Sequence, residues 1–266
     1  MRIFPGNICV DEYRRLPPAL FYMEKNFRTI SFLPHTVSTN TFLLESTDPA
    51  PALAYTFNQT SGRGRESRKW VDFGGKNLAL SVSFIPAERE VPLWRVAVLS
   101  IPAAEYLSSL GVPDVWIKWP NDVYSADRKI AGVLAESVVS GGKISKMVAG
   151  IGINVNLSAD DLSLIGSRAD SVYHATGKLQ EMERFTQEYI ARLSLTMKRS
   201  EDLSWVKDRW CELSRMIGRE FLWESPGGIV PGRAVSLNDD GTLELETSAG
   251  IVRAASGDIS LKMPKL

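Results

Sequence analysis

KIAGVLAESVVSGGKISKMVAGIGINV, residues 129–155, is the stretch on which the fold turns. Two apolar, β-branched runs, 129–139 and 144–155, flank Gly141-Gly142-Lys143. Consecutive glycines adopt positive φ at no steric cost, which suits a tight hairpin, so the two runs pair side by side. The sheet they belong to is therefore at least partly antiparallel. Upstream, 114–119 reads as another strand, and 93–110 as an amphipathic helix capped by Gly111. Pro102 lies inside that helix and must kink it or split it, because proline lacks the amide and clashes with the preceding turn. Earlier still, a helix candidate at 40–46 is followed by an apolar strand at 52–57, a polar glycine-rich loop at 58–76 and an alternating strand at 77–85.

Downstream, 179–215 changes to helical periodicity, with Leu179, Met182, Phe185, Tyr189 and Leu193 on one face and a second helix around 205–216. Past Gly218 short strands are punctuated by Pro226-Gly227-Gly228, Asn238-Asp239-Asp240-Gly241 and Ser248-Ala249-Gly250. The expected division is an N-terminal extension at 1–30, a large α+β domain at 31–216 and a small β domain at 217–266. The extension carries a short helix candidate at 19–27, and Met23 is an alternative start. No internal repeat is visible.

Composition narrows the function. Thirty-one basic and thirty-one acidic residues cancel, so no long-range positive field gathers a nucleic acid. A local cluster, Arg63, Arg65, Arg68 and Lys69, still suits one small polyanion. Cys9 and Cys211 lie far apart without CxxC spacing, which indicates two buried thiols and neither a disulfide framework nor a zinc site. Charges interrupt the N-terminus early, and no stretch reaches the roughly 18–20 apolar residues of a membrane span. A cytoplasmic protein is expected.

Three motifs carry chemistry. Gly62-Arg63-Gly64-Arg65, preceded by Gln59 and followed by Arg68 and Trp70, combines close backbone approach with forked donors for carboxylate or phosphate oxygens. Taken alone, this loop is better read as a solvated turn. It is not a P-loop, and Gly150-Ile151-Gly152-Ile153-Asn154 lacks the third glycine and the helix of a dinucleotide site. Lys118-Trp119-Pro120-Asn121-Asp122 reads as a turn at a strand end. Lys129 opens the next strand, and Ala131 and Gly132 leave room beside it for a ligand against the backbone. An exposed strand-end lysine is an equal alternative on this evidence alone.

Together with Ser38-Thr39-Asn40 and the GIGINVN run at 150–156, these motifs stand in the order found in biotin protein ligases, which the chain resembles over roughly residues 30–266. The resemblance implies a class II aminoacyl-tRNA synthetase-like mixed sheet with helices, an SH3-like C-terminal domain, and ATP-dependent transfer of biotin to a lysine of a biotin carboxyl carrier protein. It departs at Ser67, where the family commonly has glycine. The 37 residues ahead of Ser38 show no helix-turn-helix, so a ligase without repressor function is expected.

By the same resemblance, Ser38, Thr39, Asn40, Gln59, Arg63, Gly64, Arg65, Gly132 and Lys129 line the biotin site, and Arg68, Trp70, Lys118, Asn121 and Asn154 the nucleotide site. ATP and biotin are the substrates and Mg²⁺ the implied ion, with unknown ligands. Lys129 would bridge the biotin carboxyl and the α-phosphate, where charge builds. Arg63, Gly64 and Arg65 would close over the adenylate and exclude water. Activation needs no general base because a carboxylate is already ionised at neutral pH. Asp122 is the candidate base for the transfer step, and His35 and His174 are surface or structural residues. A lipoate or octanoate ligase shares the fold and the lysine, but the GRGR and KWPND pair argues for biotin. A non-catalytic biotin-binding or nucleic-acid-binding regulator is the other class, disfavoured by neutral charge and the missing reader helix. The oligomeric state is read as monomer or homodimer, without nucleic acid or membrane partners.

Overall fold

The computed structural model describes residues 26–86, 91–166, 168–225, 227–255 and 258–261. The helix candidate at 19–27, Met23 and Cys9 therefore fall wholly or mainly outside the described residues. Strand β1 (Thr29–Phe32) is followed by α1 (Thr39–Glu45), β2 (Ala52–Thr56), the short β3 (Gly62–Arg63) and β4 (Lys69–Trp70), and β5 (Asn77–Phe84). Then come α2 (Pro92–Ser109), β6 (Val115–Lys118), β7 (Asp122–Ser125), β8 (Arg128–Ser140) and β9 (Lys143–Asn154). Helices α3 (Ala159–Ile165), α4 (Val172–Thr176), α5 (Met182–Arg199) and α6 (Leu203–Ser214) lead into β10 (Glu220–Ser225), β11 (Gly228–Leu237), β12 (Leu243–Thr247), β13 (Gly250–Ala254) and β14 (Asp258–Leu261).

The large sheet runs β1-β2-β5-β9-β8-β7-β6. Only β1 and β2 pair in parallel; every other neighbour is antiparallel. The hairpin read from 129–155 is its centre, and Gly141 and Gly142 have φ of 58° and 75°. All eight residues of β5 are buried, as expected of an inner strand covered on both faces. Helix α1 covers one face around Leu43, Ala52, Ala54 and Val148. Helices α2, α5 and α6 build the main core on the other.

Pro102 does not split α2, which is assigned as one helix of 18 residues. Proline inside a helix costs about 3 kcal/mol, but Val98, Leu99, Ile101 and Leu107 are each at most 1% exposed. Burial of such side chains contributes roughly 1.5–3 kcal/mol apiece, which outweighs the break. The buried Tyr189 hydroxyl also donates to the Leu99 carbonyl at 2.9 Å, tying α2 to α5 beside the proline. Leu179 is a second correction: it is 69% exposed and precedes α5, whose N-cap is Glu181. Cys211 is half-buried on α6, and burial pushes its thiol pKa up.

The second sheet, β13-β12-β11-β10-β14, docks on the first domain through the turn at Asn238–Gly241. Trp119 is 1% exposed, and its indole N–H donates to the Gly241 carbonyl at 3.1 Å. Trp94 donates to the Asp239 carbonyl at 2.9 Å, and Lys207 pairs with the Asp239 carboxylate at 2.7 Å. Gly241 has φ of 81°, and a β-carbon there would press on Leu93 at 2.9 Å.

Candidate active site

Ser38 caps α1, its side chain accepting from the Thr41 amide, as short hydroxyls do at helix starts. The cap turns Thr39 and Asn40 inward, where they are 3% and 5% exposed. Gln59 Oε1 accepts from the Thr39 amide at 3.0 Å. Ser81, wholly buried on β5, lies 2.7 Å from Thr39 Oγ1 and 2.6 Å from Asn40 Oδ1. Nothing in the sequence marked Ser81, because a serine within an apolar strand reads as core until α1 is placed above it. A raised carboxyl pKa at Asp72 follows from burial, partly countered by amides of Gly74 and Gln59; this aspartate fixes the backbone behind Gln59.

Beneath these side chains the floor is glycine. A β-carbon on Gly150 would overlap Asn40 Oδ1 and stand 2.6 Å from Ser81 Oγ, and one on Gly152 would overlap the Trp70 ring. The GIGIN run is therefore the floor of a pocket, which also explains why it is not a dinucleotide loop. Ser38, Thr39, Asn40, Gln59, Arg63, Trp70 and Gly132 all line this pocket, which opens to solvent.

Trp70 pairs with Gly62, and Lys69 with Arg63, in the small β3-β4 ladder that the sequence left as loop. The ladder swings the arginines over a second, adjoining cleft lined by Arg63, Gly64, Arg65, Arg68, Lys69, Asn121, Asp122 and Lys129. Arg65 donates to Asn121 Oδ1 at 3.3 Å, and Asn121 is oriented by donating to the Val133 carbonyl at 2.8 Å. Arg68 pairs with Glu66 at 2.8 Å. Positive φ in this loop falls on Glu66, at 54°.

Lys129 stands where the two clefts meet. The β7-β8 register slips between Val123 and Tyr124, leaving Ile130 as an extra residue that turns into the core. The bulge aims Lys129 across Gly132, and its Nζ reaches Asp122 Oδ1 at 2.7 Å. The Lys129 backbone is clamped as well: its amide donates to the Arg168 carbonyl, and its carbonyl accepts from Asp170. Asn154 and Lys118 line neither cleft. Asn154 is 4% exposed and donates to the Asp170 carbonyl while accepting from Asn77, so it supports the segment that clamps Lys129. Lys118 lies over the Tyr124 ring on the neighbouring hairpin. His174 is structural, its Nδ1 2.8 Å from Asp170 Oδ1.

Five cations line the second cleft, and even with Arg63, Arg68 and Lys129 paired to Glu136, Glu66 and Asp122 the balance there is positive, which favours a polyanion. Among the described residues no group of three or more His, Cys, Asp and Glu could hold a metal.

Residues 32–154 match the Biotin/lipoate A/B protein ligase family, and residues 217–262 match the Biotin protein ligase C terminal domain. The chain is 31% identical to the bifunctional ligase/repressor BirA of Salmonella typhimurium over 88% of this chain and 74% of that one. It is 28% identical to the biotin--[acetyl-CoA-carboxylase] ligase of Mycobacterium tuberculosis, covering 94% and 95%. The biotin protein ligase of Aquifex aeolicus, solved with biotin and ATP, superposes with a TM-score of 0.73 at 29% identity, covering 89% of this chain and 99% of that one.

Proposed function

The chain belongs to the biotin protein ligase family, and from that premise we propose how its two clefts divide an ATP-dependent biotinylation. The enzyme activates biotin as biotinyl-5'-AMP and passes it to a lysine of a carboxyl carrier protein. The biotin ureido ring sits in the glycine-floored pocket, against Ser38, Thr39, Asn40 and Gln59, with Ser81 fixing Thr39 and Asn40 from behind. Its carboxylate points toward Lys129, and MgATP fills the arginine-lined cleft beside Arg68, Trp70 and Asn121.

Bringing a carboxylate to a polyphosphate is opposed by Coulomb repulsion, which Lys129, Arg63 and Arg65 offset at the junction. The carboxylate oxygen attacks the α-phosphorus, pyrophosphate leaves, and Arg63-Gly64-Arg65 shields the mixed anhydride from water. In the second step the carrier lysine's amine attacks the acyl carbon and AMP departs. Asp122 is the acceptor for the proton that amine loses, since it is the carboxylate that meets Lys129 at the cleft.

The observation that carries this reading is Lys129 held over bare backbone at the seam of a polar pocket and a cationic cleft. Its test is pyrophosphate exchange into ATP, expected only when biotin is supplied. Exchange with lipoate or octanoate in place of biotin would instead favour the sister activity of the same superfamily. The acceptor is a biotin carboxyl carrier protein, and the enzyme works in the cytoplasm as a monomer or homodimer without nucleic acid. A net charge of zero supports the last point, and no described helix is long and apolar enough to cross a membrane.

A further inference from the structure

Glu136 lies on β8 outside every motif the sequence singles out, yet one carboxylate there serves both walls of the pocket. Asn40 Nδ2 donates to Glu136 Oε2 at 2.7 Å, and Arg63 Nη2 lies 3.0 Å from both carboxylate oxygens. Arg63 also donates to Thr41 Oγ1 at 2.8 Å, on the helix that bears Asn40. We propose that Glu136 is a positioning residue for biotin binding, setting the pocket wall and the arginine loop as one unit. The proposal rests on the ligase reading above.

A carboxylate only accepts, and so does the Leu134 carbonyl 3.2 Å from the same Asn40 nitrogen. The Asn40 amide therefore has one permitted orientation, with Oδ1 turned to Ser81. Ser81 then spends its single proton on that oxygen while its hydroxyl stays within 2.7 Å of Thr39 Oγ1. The polarity of the wall that meets the ureido ring is thus dictated from Glu136. The same charge holds Arg63, a donor-only group, across the pocket mouth. Arg63 and Glu136 are 43% and 27% exposed, so the pair is screened and contributes little to global stability. Its effect is on geometry.

Glu136→Gln tests this. A glutamine keeps one acceptor oxygen at the position Asn40 and Arg63 share, but it loses the charge and, in place of the second oxygen, turns an amide donor toward the Arg63 guanidinium. The variant is expected to raise the KM for biotin about tenfold, as for one charge-assisted hydrogen bond, and to release more biotinyl-adenylate. The KM for ATP should stay within about twofold and thermal stability near wild type, which separates positioning from a purely structural role. In an Arg63→Ala background the same substitution should cost distinctly less, since the loop tether is already gone. An unchanged biotin KM in Glu136→Gln, or equal fold-effects in both backgrounds, would overturn the proposal while leaving the ligase reading intact. Wild-type protein without biotin-dependent exchange would remove the ligase reading itself, and this inference with it.

Discussion

Lys129 and Gly132 share one volume: a β-carbon on Gly132 would lie 2.8 Å from both Cε and Nζ of the lysine. The side chain runs flat over bare backbone to reach Asp122, so its position depends on what Gly132 lacks. Lys129→Ala is expected to lower the rate of biotin-dependent pyrophosphate exchange by about 10²–10³-fold, the effect of losing a pre-placed charge at a developing anion. Gly132→Ala should lower it by roughly 10²-fold with the lysine still present, because a misplacement of about 1 Å is enough. A Gly132→Ala enzyme with wild-type rate would mean that Lys129 reaches its target by another path.

Arg65 is the arginine whose hydrogen bond to Asn121 spans the second cleft, joining the glycine-arginine loop to the β6-β7 turn. Arg65→Ala should form biotinyl-adenylate but lose it to solvent, biotinylating nearby lysines without selectivity. Released adenylate, measured by mass spectrometry of the filtrate, should rise several-fold over wild type. Equal release from both proteins would assign the shielding to another group.

Asp161 lies away from both clefts but reports on how the end of β9 is held. Its hydrogen bond from Lys76, helped by the Ser158 amide, lowers its pKa from the ordinary 3.8 to about 2. A carboxylate with a depressed folded pKa stabilises the fold above its unfolded value and loses that contribution as pH falls through the folded one. Asp161→Asn should therefore unfold at lower urea than wild type at pH 6, with the gap closing between about pH 4 and pH 2. A gap independent of pH would show that the capping geometry, and not the charge, matters there.

Trp119→Phe addresses the join between the domains. Losing the indole N–H orphans the Gly241 carbonyl, which costs about 1–3 kcal/mol when the group is buried. At roughly 2–4 °C for each kcal/mol in a chain of this size, calorimetry should resolve the drop in Tm. An unshifted Tm would mean that Trp94 and Lys207 suffice to seat the small domain.

Some of this was legible in the residues and some was not. The central hairpin was readable because two glycines at 141 and 142 admit little else between apolar runs. Gly62 to Arg65, Asn121 and Lys129 were readable as unusual polar content at strand ends. Which way Asn154 faces was not legible, because adjacency within a motif says nothing about which face of a strand a residue occupies; it donates to the Asp170 carbonyl. Helices α3 and α4 escaped because they are short and begin at serine caps, Ser158 and Ser171, without an apolar stripe. Ser81 and Glu136 escaped for a different reason: their roles exist only once β5, β8 and α1 are stacked.

The glycine floor has a bearing on what the pocket can distinguish. Gly132 and Gly152 stand opposite each other in the β8-β9 ladder, and Gly150 precedes Gly152 by two residues on β9. Asn40, Ser81, Trp70 and Lys129 lie directly over these glycines, so the depth of the pocket is set by how closely those side chains settle on the bare sheet. Such a bed works as a thickness gauge: it admits a slim ring system and turns away a bulky one, whatever their chemistry. Chemical identity must then be judged at the rim, by Ser38, Gln59 and Arg63, so altered substrate preference is to be engineered there and not in the bed.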